Sequence, residues 1–288
     1  MRSFLVALGL IALGSGALAA DADYDIPVLR GSSPYIAAPP TYTGWGGLYG
    51  GGQIGYSRMG IDFGGGASSL VANIVRNSVL SDTVPNWTTL PKGDVDSYSV
   101  GGFIGYNQQW EDIILGWEVN YNHTSLEKSA SDALARIISN DAGAPAGHHF
   151  FYDVGVSADG SVRITDLMTF RGRAAWVADA LLPYAFGGLA VARADVVRSA
   201  TVISFQTDVP DVTAPVTPPM APVLFGPVSQ ADSKTGGFYF GYTAGIGVDY
   251  LVMPNMFLRG EWEMVHLPDV RGFRITVNTV RAGVGLKY

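Results

Sequence analysis

The run His123-Thr124-Ser125 sets a potential general base two residues from a hydroxyl nucleophile. On a β-strand, residues two apart share a face, so the imidazole and the hydroxyl would stand side by side. The competing reading is a histidine at a membrane boundary beside a loop. His148-His149 are adjacent and His266 stands alone, and two histidines do not supply the three or four ligands of a zinc site. The chain has no cysteine, which excludes thiolate metal sites, thiol catalysis and disulfides. Gly50-Gly51-Gly52-Gln53-Ile54-Gly55 matches the dinucleotide fingerprint in form. That motif needs a helix after its glycines so that phosphate meets a helix N-terminus, and here the glycines lie inside an alternating strand pattern. No residue is therefore assigned a catalytic, cofactor-binding or metal-binding role, and the chain is read as a non-enzyme.

The elements that would position such residues are strands. From residue 44 onward the apolar pattern has a period of two, and eight segments carry it. In residues 113–122, Ile113, Leu115, Trp117, Val119 and Tyr121 share one face, while Gly116, Glu118, Asn120 and Asn122 share the other. Residues 45–58, 97–110, 163–176, 182–197, 237–250, 256–264 and 275–288 repeat the pattern. Alternation alone also fits a soluble β-sandwich with an aromatic core. The connections favour a membrane. Glu111-Asp112, Ala178-Asp179-Ala180 and Met253-Pro254-Asn255 are short, whereas three other gaps run to roughly 35 residues. Alternating short turns and long loops are the pattern of an outer-membrane barrel, with both chain ends on the periplasmic side. Trp and Tyr near the segment ends (Tyr98, Trp110, Trp117, Tyr121, Trp176, Tyr250, Trp262, Tyr288) read as girdles at the lipid–water boundary. Among the loops, residues 208–227 hold six prolines and are expected to lack regular structure. Residues 64–80 and 129–140 (Leu134, Ile137 and Ile138, for example) have spacings that suit short helices.

The polar parity then fills the barrel. Glu118, Arg171, Arg173, Asp249, Arg259, Glu261, Glu263, Arg281 and Lys287 all fall on it. An eight-stranded barrel is only wide enough for side chains to fill, and an unpaired charge there costs several kcal/mol. These acids and bases should therefore pair into a salt-bridged plug. The alternative is a narrow ion path lined by the same charges.

Composition agrees with this architecture. Thirty-seven glycines are too many for a helical protein, and 48% hydrophobic residues accompany only 15% charged ones. A formal charge of −7 argues against a nucleic-acid partner. Residues 1–20 read as a signal peptide, with Arg2, an apolar stretch over 4–13 and Ala17-Leu18-Ala19 at the cleavage site. A retained anchor is the alternative. Residues 21–43, with Pro27, Pro34, Pro39 and Pro40, read as a periplasmic linker, and residues 44–288 as the barrel.

Three stretches carry a family resemblance: Thr43-Gly-Trp-Gly-Gly-Leu-Tyr-Gly-Gly-Gly-Gln-Ile-Gly-Tyr56, Thr169-Phe-Arg-Gly-Arg173 with Leu182-Pro-Tyr-Ala-Phe-Gly-Gly-Leu189, and the closing Val280-Arg-Ala-Gly-Val-Gly-Leu-Lys-Tyr288. With Leu29-Arg-Gly-Ser32 ahead of them, they resemble small alphaproteobacterial outer-membrane surface proteins of the RopB type, in the OmpA-like β-barrel group. The resemblance implies an eight-stranded antiparallel up-and-down barrel with envelope-stabilising and host-facing roles and no catalytic residues. It implies as partners outer-membrane lipid and lipopolysaccharide, and the barrel assembly machinery acting through the strand that ends at Tyr288. That position is more often Phe in such barrels. No peptidoglycan-binding domain is expected after the last strand. The His-x-Ser arrangement is also similar to that of outer-membrane lipid A deacylases, which implies a carboxylate as third member, with Glu127 the local candidate, and the resemblance to them stops there.

Overall fold

The computed structural model describes residues 44–87, 90–211 and 218–288, so the expected signal peptide and linker lie outside the described residues. Period-two alternation becomes eight strands: β1 (Gly47–Asp62), β2 (Gly93–Trp110), β3 (Ile113–Ser139), β4 (His148–Trp176), β5 (Leu181–Pro210), β6 (Val223–Met253), β7 (Met256–Val270) and β8 (Phe273–Lys287). Each pairs antiparallel with its sequence neighbour, and β1 pairs with β8 to close the ring. Closure is the physical requirement, because lipid offers no partner to an unpaired strand edge. At three tight turns one residue takes a left-handed conformation, namely Glu111, Asp179 and Arg271. No helix among the described residues is long and apolar enough to cross a membrane.

One face of the ring is lipid-like. Leu115, Trp117, Phe170, Leu189, Phe240, Ile246, Trp262 and Val284 point outward and are exposed. All eight girdle aromatics named above are exposed on the same side.

Four strands run well past the lipid-facing stretch, which overturns part of the loop reading. Residues 129–140, expected as a helix, continue β3 to Ser139, which pairs with Phe151 of β4. The apolar spacing around Leu134 also fits a strand, and pairing with β4 over this whole stretch decides between the two. Residues 208–227, expected to be irregular, contain the end of β5 and the start of β6 at Val223. Pro210 and Pro227 are tolerated because they sit at a strand end and beside a register shift. The stretch of β3 beyond Tyr121 adds roughly 60 Å of strand outside the band. Residues 64–80 do contain a short helix, α1 (Ser68–Ile74). Its Leu70 and Val71 join Phe150, Tyr152, Val154 and Val202 in a core above the membrane.

Inside the ring the side chains form layers. Nearest the short turns, Trp45, Tyr49, Phe103, Tyr184, Phe186 and Phe257 make an aromatic layer. At the other end Met59, Phe63, Leu126, Ile164, Phe273 and Ile275 belong to an aliphatic and aromatic layer. The charged residues lie between them.

Candidate functional site

The aromatic layer fits because glycine faces it. Phe257 is paired with Gly285, Phe186 with Gly245, Tyr184 with Gly247, Tyr49 with Gly105 and Phe103 with Gly51. A Cβ at any of these glycines would overlap the ring opposite. These rings in turn form a platform for guanidinium groups. Arg173 lies 3.9 Å above the Tyr184 ring, Arg259 3.9 Å above Phe103 and Arg171 4.1 Å above Phe186.

Above the platform, four arginines meet four acids. Arg259 makes a fork to Asp249 at 2.8 and 3.1 Å and donates through Nη1 to Glu118 Oε2 at 2.8 Å. Arg171 makes a fork to Glu261 at 2.8 and 2.9 Å and donates through Nε to Glu118 Oε1 at 3.1 Å. Arg173 donates to Asp249 at 2.9 Å and to the Tyr49 hydroxyl at 3.0 Å. Arg281 reaches Glu263 and donates to Asn120 Oδ1 at 3.0 Å. Tyr49, Tyr184 and Thr243 donate hydroxyl protons to Glu118, Glu261 and Glu263. None of the eight charged residues is more than 4% exposed. Gln53, Asn120 and Asn122 cap the network with an amide cluster. Bidentate guanidinium–carboxylate geometry suits such a closed space, because both oxygens and several N–H groups find partners at once.

Lys287 is the exception among the nine. It is half-buried at the rim, donates to the Gly44 carbonyl and lies over the Trp45 ring. Its strand ends at the mouth, so its amine turns toward the periplasmic edge and away from the acids. Without it the network holds equal numbers of acids and bases.

Sequence reading missed the inward aromatics. The signal was there: all but Trp45 occupy the strand parity opposite the lipid face and have an inward glycine across from them. It appears only once strand register is known.

The other candidates fall elsewhere. Gly50 and Gly55 lie inside β1 with no helix following in register. His123, Ser125 and Glu127 all point outward from β3. The imidazole Nδ1 is 3.0 Å from Asp166 Oδ1, and Glu127 instead approaches Arg163 at 3.9 Å. The expected third member is thus replaced by Asp166 from the neighbouring strand, because β3–β4 pairing brings it directly opposite His123. His148 sits within hydrogen-bond distance of Asp208, 2.7 Å away. His149 lies between Asp141 at 2.8 Å and Asp211 at 3.2 Å. Both histidines begin β4, whereas sequence spacing had put them in a loop. His266 contacts Thr276 at 2.9 Å. No metal-binding group of three or more His, Cys, Asp or Glu is found among the described residues.

A closed eight-stranded ring with an apolar outside and a filled inside defines a β-barrel of the bacterial outer membrane. The chain belongs to the outer membrane protein β-barrel domain family, whose model matches residues 7–288. Solved structures that it is similar to include the attachment invasion locus protein Ail of Yersinia pestis, at 11% identity and a TM-score of 0.32, covering 84% of this chain and 99% of that one. Another is Neisserial surface protein A, at 13% identity and a TM-score of 0.34, covering 84% of this chain and 97% of that one. A third is the N-terminal barrel of Pseudomonas aeruginosa OprF, at 11% identity and a TM-score of 0.27, covering 82% and 97%. No curated protein matches the chain.

Proposed function

We propose that this barrel is a non-conducting, non-enzymatic surface protein of the RopB type that stabilises the envelope and displays its long hairpins outside the cell. The observation that carries this reading is the sealed interior. A charge-balanced network fills the middle of the barrel, with an aromatic layer below it and an aliphatic one above. An ion crossing would have to displace forked guanidinium–carboxylate pairs and pass both apolar layers. The non-enzymatic part rests on the resemblance to surface barrels without catalytic residues, and because His123 Nδ1 faces Asp166 as the imidazole of a Ser-His-Asp triad would, the lipid A measurement below is its test. The partners in this reading are lipopolysaccharide around the outer half and the barrel assembly machinery at the strand ending in Tyr288.

The test is conductance. Purified protein in planar bilayers should give no large, steady current, and a reproducible open channel would sink the closed-barrel reading. For the chemistry, lipid A from cells carrying His123→Ala should have the same mass spectrum as lipid A from wild type. Loss of a deacylated species in that variant would replace this reading with a hydrolase.

A further inference from the structure

A groove of about 720 Å³ lies on the outside of the barrel, crossing β8, β1, β2 and β3. Its walls are Ile54, Tyr56, Tyr98, Val100, Val280 and Ala282. Tyr56 and Tyr98 meet edge to face at 5.4 Å and form a rigid rim. His123 and Ser125 stand at one side of it.

Strand register places the groove in a single row that changes chemistry along its length. Ala282 pairs with Ile54, Ile54 with Val100, Val100 with His123, His123 with Asp166, and Asp166 with Arg193. All six lie on the outward parity, so one end of the row is aliphatic and the other is polar. The polar end is braced. Asp166 accepts from the Tyr121 hydroxyl at 2.7 Å and from Thr165 at 2.8 Å, lies 3.0 Å from the imidazole and 3.9 Å from Arg193. The β3–β4 register shifts between His123 and Leu126, and the β4–β5 register shifts between Ile164 and Asp166. Bulges of this kind re-aim side chains and recur beside binding sites. On the other side of the groove, Arg58 stands one outward position beyond Tyr56, held by Asp94 at 3.2 Å and Asp96 at 3.9 Å.

Height along the barrel identifies the occupant. The short turns at Glu111-Asp112 and Ala178-Asp179-Ala180 mark the periplasmic end, and the groove lies at the opposite end of the lipid-facing stretch. It therefore opens to the outer leaflet, where an apolar depression is filled by acyl chain. The leaflet lipid with sugar hydroxyls and phosphates for an imidazole, a guanidinium and a serine hydroxyl is the acylated diglucosamine glycolipid. We propose that this groove binds one acyl chain of lipid A, with the His123–Asp166–Arg193 row and Ser125 engaging its phosphorylated sugar head. The inference rests on the placement in the outer membrane and is independent of whether the interior conducts.

The experiment is native mass spectrometry of the full chain folded in detergent, with purified diphosphoryl lipid A or phosphatidylethanolamine added separately. Wild-type protein should retain one lipid A after detergent release and keep phosphatidylethanolamine far less well. Val100→Trp fills the groove from a lipid-facing position, and it should reduce lipid A retention by about tenfold. His123→Ala with Arg193→Ala should reduce it comparably by removing the head-group contacts, with phosphatidylethanolamine retention unchanged. An unboiled gel band shows that each variant folds, and Ala282→Leu replaces Val100→Trp if that variant does not. Equal retention of the two lipids by wild type, or equal lipid A retention across all variants, would overturn the proposal.

Discussion

Phe257 and Gly285 face each other across β7 and β8, and the ring of one occupies the space where the other would carry a side chain. Four more aromatic–glycine pairs repeat the arrangement around the periplasmic mouth. Gly285→Val should therefore overpack the layer and destabilise the barrel by about 1–3 kcal/mol. Phe257→Leu in the same chain should restore part of that loss. Urea unfolding in micelles, run as a double-mutant cycle, measures the coupling. Independent, additive losses would show that the ring and the glycine do not share the space.

Glu118 receives charge-assisted contacts from Arg171, Arg173 and Arg259, which reach it from β4 and β7. Glu118→Ala leaves those three guanidiniums short of a carboxylate in a closed interior. The expected cost is about 3–5 kcal/mol, and the temperature at which the unboiled folded band is lost should fall accordingly. Glu118→Gln keeps the volume and a carbonyl acceptor and should cost less. A Glu118→Ala protein as heat-resistant as wild type would mean that water or rearranged acids take over the pairing.

Much of the barrel was legible because lipid and a narrow interior impose opposite demands on alternate residues. Trp117 beside Glu118, or Ile246 beside Gly245, can only be read with one outward and one inward. Besides the inward aromatics, three things were not legible. Beyond Tyr121 the outward side meets water, so Ser129, Ser131 and Ala133 no longer contrast strongly with their neighbours, and the strand pattern fades although pairing continues. Asp166 lies 43 residues from His123, and only the β3–β4 register brings it opposite. Lys287 has the right parity, but at a strand end parity no longer dictates where a long flexible amine goes.

At the outer tip, His149 lies between Asp141 and Asp211. Hydrogen bonding to Asp141, with its charge, holds the imidazole proton above the ordinary value of 6.5. That pair's contribution is thus full below about pH 6.5 and fades as pH rises through the higher folded value. Asp141 has the opposite sign. The His149 hydrogen bond and the Phe150 backbone N–H hold it below its ordinary 3.8. Its contribution is present above about pH 3.8 and disappears as pH falls through the lower folded value. The turn over residues 140–148 should therefore resist proteinase K best between about pH 4 and 6.5. It should be cut faster at pH 8.5 than at pH 6, after correction with an unfolded substrate. His149→Ala should flatten that profile, and a wild-type profile already flat would remove the pair from any role in ordering the tip.

Asp232 on β6 ties the external hairpins to the β7–β8 turn. Its carboxylate accepts from Arg198 at 2.8 and 3.0 Å and from Arg271 at 2.7 and 2.8 Å. Arg198 also donates to the carbonyls of Gly66 at 3.1 Å and Arg271 at 3.0 Å, so one guanidinium links β5, the α1 loop and the last turn. These groups are only half-buried, which keeps each contact modest, but the connected network acts where β6 lacks a strand partner from β7. Asp232→Ala should cost about 1–2 kcal/mol locally and leave the membrane band intact. Limited proteolysis of whole cells should then cut residues 64–87 several times faster than in wild type, while the unboiled barrel band keeps its mobility. Asp232→Asn, which retains acceptor geometry without charge, should fall between the two. Unchanged cleavage in Asp232→Ala would show that the apolar packing of Leu70 and Val71 holds this loop down without the ion pairs.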